Sequence, residues 1–434
     1  MTGQPPDIEL ALQQEHARRQ TPKPLPSLVA TTRVFEQVTE DRYRIRIQEL
    51  GIALEIDRLR RERGELNGEL CVTCDLPGVR SSDGVLSIAD FNMSSARART
   101  DRAKLLAARA NTRDTVDWTG IVEEFCQRVL QADRAGQPAV DLRTLERPSG
   151  SDDLLSVEGF RLPRRHASIL FGDGGTAKSY MGLYYAGRAA ESGIAVAYYD
   201  WELSGEDHRL RLERLFPDGM PRVLYVRCER PLVYEVDRLR RIVHDEKIEY
   251  SIYDSIAFAC DGPPEAAEVA GRYFRAVRQV GGGSLHIAHI SKGENADQKP
   301  FGSAFWHNGA RSTWFVKQDE ASMGSDTLRI GLFHRKSNLG KLLPPLGYSI
   351  TFGEETTTFR RTDVAASPDL AEKMTVRQRM GCLLRRGSMT IEDLAAELDA
   401  KPETIERTAY RNKSSFVVLQ GGKIGLVDRT FVDG

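Results

Sequence analysis

ILFGDGGTAKS, residues 169–179, is the stretch on which the fold turns. Three apolar residues run into Gly172, and Gly172, Lys178 and Ser179 stand at the spacing of a P-loop, a phosphate-binding turn that follows a strand and opens a helix. Gly172, Gly174 and Gly175 let backbone N–H groups close around phosphate oxygens at the positive end of that helix. Lys178 is placed to neutralise the β and γ charge, and the Ser179 hydroxyl to hold Mg²⁺. Asp173, Thr176, Ala177 and Tyr180 complete the set expected to touch a nucleotide. One position departs from the template: Ala177 stands where the last glycine is usual, which loosens the close backbone approach there. The alternative is an ordinary glycine-rich turn between strand and helix.

Working outward, a helix to about Ser192 leads to a second apolar run, and AVAYYDWE ends it in Asp200 and Glu202. A carboxylate at such a strand end can polarise a water that attacks the γ-phosphate, and Glu202 is the expected general base. An acidic pair on the surface is the other reading. SIYDSIAF ends a later strand in Asp254 followed by Ser255, a Walker B arrangement in which the acid holds the Mg²⁺ shell. LHIAHISKG then brings His289, Ser291 and Lys292 to the end of one more strand. His289 is read as a sensor of the γ-phosphate, although a lone histidine is usually structural. Strands that alternate with helices and end in polar residues describe an α/β core with a mostly parallel sheet, whose sites lie at the carboxyl ends of the strands.

These residues resemble the RecA-like ATPases of the RepA type, the hexameric replicative helicases of plasmids and mobile elements, which share a fold with DnaB and KaiC. The resemblance covers about residues 154–361 and rests on GDGGTAKS, YYDWE with Arg209 and Arg211 after it, YDS, IAHISK, FGSAFWHNGARSTWFV and HRKSNLG, in that order. It implies that Lys178 and Ser179 bind ATP and Mg²⁺, that Glu202 is the base and Asp254 the Walker B acid, and that His289 senses the γ-phosphate. It also implies that Arg311, in NGARSTW, is an arginine finger inserted into a neighbouring copy, with Lys336 and Asn338 in a second segment acting in trans. A desolvated guanidinium at the γ-phosphoryl group is worth about 10³ to 10⁵ in rate, and supplying it in trans couples hydrolysis to assembly. From bottom-up reading alone Arg311 is as easily an ordinary surface arginine.

The flanks are organised differently. At 434 residues the chain is too long for one ordinary core. Residues 1–26 read as a disordered tail and 27–147 as an α+β accessory domain. The core takes 148–366, and 367–434 read as a winged helix after an AASPDLAEK linker. In the last of these Pro402 opens a recognition helix that offers Arg407, Arg411, Asn412 and Lys413 to a groove, with Lys423 at the wing. A winged helix without a clearly basic face docks on protein as readily as on DNA. Arg58, Arg60, Arg61 and Arg63 read as a solvated helix face, and Cys71 and Cys74 of CVTC as two thiols on a strand rather than half of a zinc site.

Lys plus Arg number 61 against 62 Asp plus Glu, a formal charge of -1, so any nucleic-acid surface is local. Scattered cysteines, a start with neither a basic nor an apolar leader region, and no long apolar run lead to the expectation of a cytoplasmic protein without a membrane partner. The function expected is an ATP-hydrolysing motor in a homo-oligomeric ring, a helicase or translocase on single-stranded or forked DNA in the replication of a mobile element or phage-like genome. Two rivals stay open: an ATP-dependent regulator of recombination or defence that does not unwind DNA, and a winged-helix regulator with a weak ATP site.

Overall fold

Period-two alternation builds the first unit. Tyr43, Ile45 and Ile47 alternate with arginines, as do Ile52, Leu54 and Ile56 with Ala53, Glu55 and Asp57, so each strand has one apolar face. The computed structural model describes residues 32–39, 41–76, 79, 81, 83–112, 115–136, 139–146, 154–290, 300 and 302–427. The chain divides into two compact units, 1–145 and 146–434. In the first, β1 (Arg33–Thr39), β2 (Arg42–Ile47), β3 (Ile52–Glu62), β4 (Glu65–Cys74) and β5 (Val85–Asn92) form an antiparallel sheet in chain order. Helices α1 (Ala96–Arg109) and α2 (Trp118–Ala135) supply the other half of its core, where Leu106 and Phe125 join Ile45, Leu54 and Leu70. Ser95 and Asp117 cap the two helices by accepting backbone N–H groups from their first turns.

The arginines at 58–63 correct the expected helix face. They lie in the far half of β3 and the turn beyond it, because the alternation that begins at Ile52 carries on as strand. Arg58 pairs with Glu69 and Arg60 with Asp90 across the sheet, while Arg61 reaches Asp133. Cys71 and Cys74 are three residues apart on β4, hence on opposite faces: Cys74 is buried in the core and Cys71 is on the other side. Burial raises both thiols, and the described residues contain no cluster of His, Cys, Asp and Glu suited to a metal.

The second unit opens with a hairpin, β6 (Leu154–Val157) and β7 (Phe160–Pro163), and then alternates: β8 (Ala167–Gly172), α3 (Lys178–Glu191), β9 (Val196–Asp200), α4 (Gly205–Leu215), β10 (Val223–Arg227), α5 (Leu232–Asp245), β11 (Tyr250–Asp254), the short α6 (Ile256–Ala259), α7 (Ala267–Val280), β12 (Gly283–His289), α8 (Ala304–Gly309) and β13 (Ser312–Gln318). β14 (Thr327–Ser337), β15 (Leu346–Phe352) and β16 (Thr357–Thr362) follow. The nine-stranded sheet runs β10-β9-β11-β12-β8-β13-β14-β15-β16. From β10 to β13 neighbours are parallel, and from β13 onward antiparallel. This mixed α/β architecture with a large, mostly parallel sheet fits a RecA-like core.

Central strands are apolar on both faces because both are covered. Leu170, Tyr198 and Ile252 pack with α3 and α4, whereas Ile169, Phe171, Tyr199 and Tyr253 pack with α5, α7 and Trp306 of α8. Since β8 has neighbours on both edges and helices on both faces, only its two ends can meet solvent.

Residues after Val364 depart from the expected linker. Asp363 and Ser367 cap a 3-10 turn and α9 (Pro368–Ala371), and Val364, Leu370 and Met374 are buried in the core of the second unit. Apolar side chains at 364, 370 and 374 are too closely spaced to stay solvated. Then come α10 (Val376–Leu384), α11 (Ile391–Leu398), α12 (Pro402–Arg411) and the hairpin of β17 (Phe416–Val418) and β18 (Ile424–Leu426), around a small core of their own that includes Met380, Leu394, Ile405 and Phe416. Among the described residues no helix is long and apolar enough to cross a membrane.

Candidate functional site at the carboxyl edge of the sheet

Parallel pairing brings the polar strand ends into one row. Gly172 lies beside His289 and Val316, and Asp200 beside Asp254, so residues far apart in sequence share the carboxyl edge. Gly172 is fixed by contact: a Cβ there would lie 2.5 Å from the Val316 carbonyl oxygen. Gly174 and Gly175 face open space, and Gly175 has φ +76°. Ala177 takes φ 56°, ψ 28°, the left-handed conformation that a glycine adopts freely and an alanine only at about 1–2 kcal/mol. The departure from the template has therefore changed the residue while keeping the backbone that the loop requires.

Lys178 is buried at the first turn of α3, its Nζ donating to the Asp173 carbonyl at 2.5 Å and facing Thr176 Oγ1 at 3.4 Å. Burial pulls its ammonium down to about 8, while Asp254, Asp173 and Glu202 act in the opposite direction. Asp254 is buried, accepts from Tyr198 Oη at 2.6 Å, and is hydrogen-bonded by Ser179. Burial raises its carboxyl above the ordinary range despite those two donors.

The two acids of YYDWE have different tasks. Asp200 is fully buried and accepts from the backbone N–H groups of Glu202 and Leu203 at 3.1 and 2.9 Å, and from Tyr225 Oη at 3.2 Å. Burial works to raise its carboxyl, but His208 at 3.4 Å and the two N–H groups outweigh that and hold it below the ordinary value. Asp200 thus shapes the turn that presents Glu202. Glu202 is exposed at the mouth of the site and accepts from the Ser255 hydroxyl, which follows Asp254 across a cis peptide bond. His289 stands at the end of β12 with its ring partly open to solvent, and partial desolvation and the charge of Lys178 hold it below its usual value. Ser291 and Lys292 lie outside the described residues. The other histidine of that strand, His286, is a core residue, bonded to Tyr273 and Ser284 at 2.8 Å each.

Tyr180 is half-buried, with the Arg211 guanidinium 4.7 Å above its ring and Phe352 edge-on at 5.1 Å. Sequence reading assigned no role to Ser255, Tyr198, Arg211 or Phe352. Tyr198 had a signal, since it stands two residues before Asp200 on a strand and so shares its face. Phe352 had none, for it arrives from β15 at the far side of the sheet.

The donors present suit a magnesium nucleotide. Hard oxygen ligands are what Mg²⁺ takes, usually one or two from protein with waters and phosphate completing the shell. Ser179 and Asp254 are such a pair, beside an ammonium and a loop of backbone N–H groups with room outside Gly174 and Gly175.

Arg311 and Lys336 lie elsewhere. Arg311 N–H donates to the carbonyl of Ala167, the first residue of β8, at 2.9 Å. β8 is six residues long, so at about 3.3 Å per residue its ends are about 17 Å apart, and Arg311 belongs to the amino edge, away from the loop of its own chain. Lys336 is half-buried, and its ammonium donates to three carbonyls of its own chain. Of the residues proposed for nucleic acid, Arg407, Arg411, Lys413 and Lys423 are exposed, with Lys413 lying 4.2 Å from the Tyr410 ring. Asn412 is half-buried, its amide donating to the Thr408 carbonyl at 2.7 Å. α12 also exposes Glu403 and Glu406, so its outer surface carries both signs.

No family model matches the sequence, and no curated protein does. Among solved structures, one ATPase domain is similar over 46% of this chain and 85% of its own length, at 10% identity and a TM-score of 0.38. A KaiC-like protein of the hyperthermophilic archaeon Pyrococcus horikoshii OT3 is similar over 49% of this chain and 95% of its own, at 15% identity and a TM-score of 0.36.

Proposed function

We propose that this protein binds and hydrolyses ATP with Mg²⁺ as a RecA-like motor of the RepA type, in a ring that moves along single-stranded DNA during replication of a mobile element or phage-like genome. The observation that carries the ATPase is the convergence of Lys178, Ser179, Asp254 and Glu202 on one carboxyl edge from the ends of two strands and the first turn of one helix. Magnesium, when bound, supplies a Lewis-acid charge on the phosphate oxygens. Ser179 and Asp254 would hold it. The loop N–H groups and Lys178 would bind phosphate, and Tyr180 with Arg211 would offer a flat surface to the base. Glu202, oriented by Ser255, would take the proton of the attacking water, and His289 would meet the terminal phosphate.

Charge that builds on the γ-phosphoryl group needs a further cation, and the edge where Arg311 lies makes a second copy of the chain its natural recipient. In the segment read as a winged helix, Arg407, Arg411, Lys413 and Lys423 would contact DNA phosphates. The exposed Glu403 and Glu406 favour a second reading for that segment alone, in which it docks a protein partner and the ATPase serves regulation.

The deciding experiment measures ATP turnover of the full chain with and without single-stranded DNA, over a range of salt, together with unwinding of a forked duplex. A motor on DNA shows stimulation and unwinding that both fall steeply with salt as counterions are released. Turnover indifferent to DNA, with no unwinding, would leave the regulatory reading. Lys178→Ala should lose turnover in either case, and its retention would remove the ATPase reading itself.

A further inference from the structure

We propose that Lys336 is a positioning residue that acts within its own chain, clamping the carboxyl end of α8 so that the Arg311 backbone is held at the amino edge of the sheet. Its ammonium donates to the carbonyls of His307 at 2.7 Å, Asn308 at 3.0 Å and Ala310 at 2.8 Å. An ammonium has three N–H donors, and all three are engaged. The acceptors belong to the last turn of α8 and its cap, where carbonyls lack partners inside the helix and carry its negative dipole end. The resemblance implied a contact from Lys336 to a neighbouring copy; in this arrangement no donor is left for one.

The strand register explains how the lysine reaches that helix. Trp314 of β13 opposes His334 of β14, and their rings stack at 4.3 Å on one face. Thr313 opposes Lys336, so the register steps and Arg335 is an extra residue. Without the step, Lys336 would share the face of His334, two residues before it. With it, Lys336 shares the face of Thr313, whose hydroxyl lies 3.3 Å from His307 Nδ1 of α8. The other side of α8 is anchored by Trp306, fully buried, its indole N–H donating to the Pro264 carbonyl at 2.7 Å. Arg311 is pinned on both sides: its N–H donates to Ala167, and its carbonyl accepts from Asn338 N–H at 2.9 Å. A helix of six residues has little stability of its own, so the direction of the segment that follows depends on these ties.

The test separates a clamp from a phosphate contact, and although the effect on turnover rests on Arg311 acting in a second copy's site, the structural readout does not. A lysine that touches phosphate tolerates arginine, which keeps the charge and binds phosphate well. A lysine at the apex of three carbonyls does not, because a planar guanidinium cannot converge on them. Amide hydrogen exchange in the full-length wild-type chain should show residues 307–311 protected like the neighbouring sheet. In both Lys336→Met and Lys336→Arg that protection should fall while β9 and β11 stay protected. Turnover should drop about tenfold to a hundredfold, the scale of a small misplacement, with the KM for ATP within about twofold. Lys336→Arg keeping the wild-type protection of 307–311, or 307–311 exchanging at loop rates in the wild type, overturns the proposal. Arg311→Ala is the control for the finger: if it keeps turnover, the finger reading fails, and the exchange data still decide the clamp.

Discussion

The two edges of the one sheet are built on opposite principles. At the carboxyl edge, Lys178, Asp254, Ser179 and Glu202 face one another, and each is already held by a partner in its own chain: Asp173, Tyr198, Asp254 and Ser255 respectively. At the amino edge the effort goes into backbone. Ala167, Asn338 and Lys336 fix the path of the chain around Arg311, while Arg311 itself is exposed. Four side chains are held by contacts within the chain, and a fifth is exposed on a backbone that is fixed on both sides. On the function proposed above, the carboxyl edge would bind the nucleotide with its own side chains, and the rate of cleavage is expected to depend on a second copy.

The sharpest way to break that comparison is Arg311→Ala. If the amino edge completes another copy's site, turnover falls by about 10³ while ATP affinity measured by calorimetry is unchanged. Mixing these subunits with Lys178→Ala subunits should then restore part of the activity, because one chain keeps the loop and the other the arginine. No recovery in the mixture, with both parents inactive, would confine the site to a single chain.

Next in size is Glu202→Gln, expected to lower turnover by about 10² or more with ATP binding retained. Ser255→Ala should give a smaller loss of the same kind, since it removes only the hydroxyl that orients Glu202. A Glu202→Gln protein that hydrolyses ATP at the wild-type rate would transfer the base to another residue.

A pH series probes the loop. Folded Lys178 titrates near 8 and an unfolded lysine near 10.5, so between these values the native state binds fewer protons. The stability of the nucleotide-free protein should therefore rise with pH through that window, relieving up to about 3 kcal/mol of the cost of burying the ammonium. Nucleotide affinity should move the other way, falling by up to about tenfold per pH step above 8 as the cation is lost. Calorimetric titration with ATP at pH 7 and 9 checks the sign, and an affinity that climbs with pH would contradict it.

Smallest of all is Ala177→Gly. It relieves about 1–2 kcal/mol of left-handed strain but frees the unfolded chain by about 0.5–1 kcal/mol. Unfolding free energy should stay within about 1 kcal/mol and ATP affinity within about threefold of the parent. A much larger gain in affinity would show that the Ala177 methyl intrudes on the cradle.

The P-loop was legible because its parts lie within eight consecutive residues and depend on local geometry: glycines where the backbone turns, a helix beginning at Lys178, a strand ending at Gly172. Strand ends at Asp254 and His289 were legible for a similar reason, an apolar run stopping at a polar residue. The division of labour between Asp200 and Glu202 was not legible, since it depends on Tyr225, His208 and Ser255 arriving from other strands and helices. Arg58 to Arg63 misled because a dense charge run has no period of its own, and only pairing with β4 makes it strand. Leu370 was hidden in a segment whose proline and polar residues look like a linker.

Local sequence fixes the short-range chemical units: the glycine loop, the acids at strand ends, the caps at Ser95 and Asp117, and the period-two faces of the first sheet. Only the tertiary structure decided which units meet. A one-residue step between β13 and β14 turns Lys336 from one face of the sheet to the other, and the parallel order of β11, β12 and β8 brings Asp254, His289 and Gly172 to one edge. Side-chain alternation along a strand is local, but register is fixed by the packing of both faces at once, and that sum over distant residues is written nowhere in any one stretch of the chain.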